Sequence, residues 1–97
     1  MSQPIYHLYF GKPTEAWYLL SDEEQTQLLA RLREHFVSLG GETIITCDSA
    51  WATDQWQIWG VEKYPDLESL QKQVKFQREL KWLRYVDSTS ILGTSLP

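Results

Sequence analysis

His7 is the residue of this chain best placed to do chemistry, because a histidine inside an apolar run can act as a general base near neutral pH or bind a ligand. Tyr9, Trp59 and Asp87 could join it as ligand-pocket residues, since aromatic walls with a few polar groups are what small-molecule sites look like. Each has a structural alternative. His7 can be a hydrogen-bonded core or interface histidine, and the aromatics can simply fill a dimer core. Strand register decides whether the four residues share a face. His35 follows Leu32 by three and reads as a boundary residue on a helix. Lys72, Lys75, Arg78, Lys81 and Arg84 form a basic run opposed only by Glu79, and its spacing reads as a solvated face.

Cys47 is the single cysteine, which excludes an intrachain disulfide and any site needing two thiolates, and it reads as a packing residue. No Gly-rich phosphate loop, paired metal-ligand spacing or nucleophile elbow occurs, so neither a metal nor a cofactor is expected. With 97 residues the chain can build one core, and a single domain spanning 1–97 follows. Apolar residues at 42% and aromatic residues at 13% are those of a folded globular protein. A net charge of −4 offers no basic field for nucleic acid or an anionic membrane. The opening Met-Ser-Gln-Pro-Ile-Tyr has no leader pattern, and no apolar run approaches the roughly 18 residues of a membrane span. A mature, cytoplasmic chain is the expectation.

The elements that must hold these residues can be read from hydrophobic period. Residues 5–10 form a strand with bulky groups on both faces, stopped by Gly11-Lys12-Pro13. Ser21-Asp-Glu-Glu24 is a capping box that opens a helix carrying Leu28, Leu29, Leu32, Phe36 and Leu39, ended by Gly40-Gly41. The period then changes to two. Residues 42–51 and 56–64 read as a hairpin with Trp51 and Trp56 flanking a four-residue loop. That register groups Trp51 and Trp56 with Ile45, Cys47, Ile58 and Gly60, and puts Trp59 and Val61 opposite with Ile44. Asp66 caps a second helix ending near Lys81, residues 82–85 form a hinge, and 86–92 are a last strand closed by Gly93.

The order β-α-β-β-α-β predicts an α+β, ferredoxin-like fold: a four-stranded antiparallel sheet with two helices on one face. Apolar side chains remain on the other face, and a second subunit is the expected cover, giving a homodimer. In this order the chain resembles the dimeric α+β barrel superfamily. Ala16-Trp17 before Leu20-Ser21-Asp-Glu-Glu24, and Trp59 to Pro65-Asp66 leading into the second helix, look like its small uncharacterised members such as the darcynin-like group. The resemblance implies pairing of two sheets face to face and covers nearly the whole chain. Its haem-degrading members bind iron through a histidine on the second helix, and no histidine occurs between Asp66 and Pro97. Three functions stay open: binding of a small apolar or aromatic molecule between sheet and partner, cofactor-independent monooxygenation or isomerisation with His7 as base, and a protein-interaction module.

Overall fold

The computed structural model describes residues 3–97, so Met1 and Ser2 of the amino-terminal stretch lie outside the described residues. Its elements are β1 (Ile5–Pro13), α1 (Glu15–Tyr18), α2 (Asp22–Ser38), β2 (Glu42–Asp48), β3 (Ile58–Tyr64), α3 (Leu67–Glu79), a 3-10 turn (Trp82–Arg84) and β4 (Val86–Gly93). The strands form one antiparallel sheet in the order β2-β3-β1-β4. This is the ferredoxin-like arrangement expected from the sequence, with β1 and β3 at the centre.

Local chemistry sets the helix ends. The Ser21 hydroxyl accepts from the Glu24 N–H at 3.1 Å while the Glu24 carboxylate accepts from the Ser21 N–H at 2.9 Å, which completes the capping box. Gly40 ends α2 at φ +82°, a left-handed position that costs glycine little. A side chain at Gly41 would overlap the Phe36 ring. Asp66 opens α3 by accepting from the Ser69 N–H at 2.7 Å. Between the helices, His35 Nδ1 meets Gln73 Oε1 at 2.7 Å and its ring stacks on Phe76 at 4.2 Å. Gln73 is buried and donates to the Leu32 carbonyl at 3.2 Å. His35 is half-buried, as a boundary residue would be, and it also joins the two helices.

The core is small. Phe36 of α2, Tyr64 of β3 and Leu70 of α3 pack together with Ile5 of β1 beside them. Ile5 is opposite Tyr64 in the ladder, so the helix-facing side of the sheet carries Ile5, His7, Tyr9 and Gly11 on β1 with Tyr64, Glu62, Gly60 and Ile58 on β3. The outer side carries Tyr6, Leu8 and Phe10 against Lys63, Val61 and Trp59, flanked by Ile45 and Cys47 of β2 and Ile91 of β4.

Two local expectations need correction. The central hairpin is shorter in strand and longer in loop: Asp48 pairs with Ile58, and residues 49–57 form the connection. Trp51 and Trp56 are therefore loop residues. Asp48 Oδ1 accepts from the Ala50 N–H at 3.0 Å and the Ser49 hydroxyl donates to the Trp56 carbonyl at 3.0 Å, local bonds that replace the ladder. Trp56 rests against Phe10, with ring centroids 6.0 Å apart, whereas Trp51 is 84% exposed. A bulge between Thr43 and Ile45 shifts the remaining register, so Trp59 and Val61 share their face with Cys47 and Ile45, and Ile44 is the extra residue. The second correction concerns β1, which runs through Gly11-Lys12-Pro13 because Ser88, Asp87 and Val86 of β4 continue to pair with it. Pro13 is the last rung, where a missing N–H costs least.

The accessible area is 6927 Å², about 1,100 Å² more than the roughly 5,800 Å² typical of a compact 11.4 kDa chain. The Cα radius of gyration, 13.9 Å, likewise exceeds the roughly 12.5 Å expected for this length. Trp51 in the 49–57 loop, Leu19 after α1, Leu96 in the carboxy-terminal tail and Ile91 on the outer side of the sheet all contribute exposed apolar area.

Candidate functional site

His7 and Glu62 are ladder partners on the two central strands, and both side chains face the helix side. His7 Nδ1 lies 3.0 Å from Glu62 Oε1, with the two side chains 20% and 21% exposed. A carboxylate only accepts, so the pair assigns a proton to Nδ1, and in the neutral ring the free lone pair is on Nε2. Tyr64 adds a second donor, its hydroxyl standing 3.4 Å from the same carboxylate oxygen. Ring centroids place Tyr9 5.5 Å and Tyr64 6.5 Å from His7. One basic nitrogen is thus held in a fixed tautomer between two phenols.

Both phenols resist ionisation. Burial pushes the Tyr64 pKa far above the ordinary phenol range, and the negative charge and hydrogen bond of Glu62 add to it. Burial also raises Tyr9, opposed by the polar Thr46 side chain and helped by the Glu62 charge. A phenol whose pKa is raised on folding stabilises the folded state fully below its unfolded value near 10, and that contribution is lost as pH rises through the folded value. We therefore expect the urea midpoint to fall as pH is raised above about 10, and to fall less steeply in Tyr64→Phe. Parallel loss in both proteins would refute the assignment.

Register separates the four residues singled out by type. His7 and Tyr9 are together on the helix side, whereas Trp59, opposite Phe10, and Asp87, opposite Lys12, lie on the outer side. The residues that complete the His7 site are Glu62 and Tyr64, which residue type alone did not select. Their signal was present in the alternation Gly60, Glu62, Tyr64, and became readable only once His7 was paired with Glu62. Among the described residues, no group of three or more His, Cys, Asp or Glu is arranged to hold a metal ion. Two shallow hollows lie elsewhere, one of about 270 Å³ along Pro4, Gly40, Glu42, Lys63 and Pro65 and another of about 240 Å³ on α3. The basic residues Lys72, Lys75 and Arg78 are exposed, and Lys72 pairs with Glu68 at 3.5 Å.

Neither a protein-family model nor a curated protein matches the chain. Among solved structures it is similar to SnoaB, a cofactor-independent oxygenase from Streptomyces nogalater, at a TM-score of 0.56 over 99% of this chain and 96% of that one. The likeness is one of fold. At 14% identity it establishes the α+β, ferredoxin-like architecture and carries no residue role across. No helix is long and apolar enough to cross a membrane among the described residues.

Proposed function

We propose that the protein is a cofactor-independent oxygenase in which His7 removes a proton from an enolisable aromatic or polyketide-like ketone. The observation that carries this reading is the 3.0 Å contact between His7 Nδ1 and Glu62 Oε1. It leaves Nε2 as the base and lets Glu62 stabilise the imidazolium that forms. The C–H electron pair then moves onto the ketone oxygen, giving an electron-rich enolate that reacts with O2; the peroxide formed at carbon eliminates water to leave a second carbonyl. The similarity in fold to an oxygenase supports oxygen as the acceptor, in preference to return of the proton at another carbon as in an isomerase. The ligand then sits between sheet and helices, on the His7 side, rather than between sheet and partner.

Anthrone is a direct probe, because its methylene protons are acidified by the carbonyl and two rings. Wild-type protein is expected to consume one O2 per anthrone and release anthraquinone, with His7→Ala largely inactive. Absence of O2 uptake by the wild type across enolisable aryl ketones would overturn the reading, whereas solvent proton exchange without O2 uptake would convert it to an isomerase.

The same reading includes a homodimer formed through the outer side of the sheet. Tyr6, Leu8, Phe10, Trp59, Val61 and Ile91 supply an apolar surface there that a second copy of the chain can cover. Light scattering should give twice the 11.4 kDa chain mass at micromolar concentration, and Leu8→Glu should give the single mass by desolvating two carboxylates at the centre of the contact. A monomeric wild type would rule this interface out.

A further inference from the structure

Gly60 faces Tyr9 across the ladder, in a position where neither a turn nor a left-handed backbone calls for glycine. A Cβ at this residue would stand 2.7 Å from the Tyr9 hydroxyl oxygen, 2.8 Å from its ζ carbon and 2.8 Å from the Ile45 carbonyl oxygen. The missing side chain therefore gives the Tyr9 ring room to lie across β3, with its hydroxyl over Gly60. A phenol hydroxyl both donates and accepts, so its proton can be given to a ligand. A molecule that reaches Nε2 of His7 consequently meets a neutral hydroxyl donor on the same side of the sheet, its ring 5.5 Å from the imidazole.

We propose that Tyr9 donates a hydrogen bond to the oxygen of the enolate formed at His7, so that the site selects planar enols and phenols bound as their oxyanions, with Gly60 making room for the donor. This rests on the general-base reading of His7. The proton leaves carbon for Nε2 and the electron pair arrives on the ketone oxygen, while Tyr9 keeps its own proton. A donor aimed at that oxygen stabilises the charge where it develops, and loss of one such donor costs about 10² to 10³ in rate.

The test uses 2-naphthol, whose neutral and ionised forms fluoresce differently, and 2-methoxynaphthalene, which cannot ionise. Wild-type protein is expected to bind the naphtholate in preference, lowering the pH at which bound naphthol ionises. Tyr9→Phe should weaken naphtholate binding at least tenfold with 2-methoxynaphthalene binding unchanged. Gly60→Ala should reproduce that loss by moving the ring, and Tyr9→Phe, which adds no atoms, keeps the test valid where Gly60→Ala fails to fold. Equal naphtholate binding by Tyr9→Phe and wild type would overturn the proposal, as would a wild type that binds neither probe. The two readings fail separately: a Tyr9-dependent naphtholate preference beside O2 uptake that survives His7→Ala removes the base and keeps the donor. O2 uptake lost in His7→Ala and intact in Tyr9→Phe does the reverse.

Discussion

A His7→Ala variant is expected to turn over anthrone two to four orders of magnitude more slowly than the wild type, the range set by removal of a positioned general base. Three further measurements separate loss of the base from loss of structure. His7 is about one fifth exposed and, among the described residues, hydrogen-bonded through Nδ1 alone, so the variant should retain the wild-type circular dichroism spectrum. Added imidazole should restore part of the rate by supplying a basic nitrogen to the vacated space, which a collapsed sheet would not permit. Glu62→Gln tests the orientation of the base. An amide can present a donor to Nδ1 and so favour the tautomer whose proton sits on Nε2, and a fall of about 10² or more follows by analogy with carboxylate-to-amide changes at histidine partners. Wild-type turnover in both variants would remove His7 from the mechanism.

Replacing Phe36 by alanine should have the largest effect on folding, about 3–5 kcal/mol. Phe36 is 5% exposed, makes an edge contact with Tyr64 at 5.2 Å between ring centroids, and packs with Leu70 and Ile5. Leu32, Phe36, Tyr64 and Leu70 are the buried apolar side chains among the described residues, so little else can compensate. Gly41 leaves its side-chain space to the Phe36 ring, and the truncated variant would open a cavity there as well. Single domains are stable by only about 5–15 kcal/mol, so a loss of this size lowers the melting temperature by tens of degrees. Val37, next in sequence but 55% exposed, should tolerate alanine within about 0.5 kcal/mol. Thermal melts of the two variants that coincide would show that the Phe36 cluster is not what holds helices to sheet.

Much of the architecture was legible because local signals agreed with one another. The capping box at Ser21, the glycine pair after Leu39 and the aspartate cap at Asp66 lie at the observed helix ends. Likewise, alternation within residues 5–10 correctly puts His7 beside Tyr9. The candidate site was less legible, because its second half depends on β3 register, and that depends on a hairpin whose loop carries aromatic residues. Trp51 and Trp56 read as strand residues by type. Trp56 instead packs on Phe10, a contact distant in sequence, and Ser49 and Asp48 hold the loop by side-chain bonds that leave no periodic trace. Trp59 and Asp87 suit a pocket by residue type as His7 and Tyr9 do, but their rungs set them on the other side of the sheet.

Along β2 the ladder changes phase between Thr43, opposite Glu62, and Ile45, opposite Val61. Because of that one extra residue, Thr43 and Thr46 both fall on the helix side although their numbers differ by three. Ile44 therefore works as a spacer that lets one strand serve two alternation patterns. Its amino-terminal end matches Glu62 and its carboxy-terminal end matches Gly60 and Trp59. The chain is consequently more sensitive to length than to composition at this point. Substituting Ile44 changes one exposed side chain, whereas deleting it forces either half of β2 to turn its threonine away from the site or break its pairing.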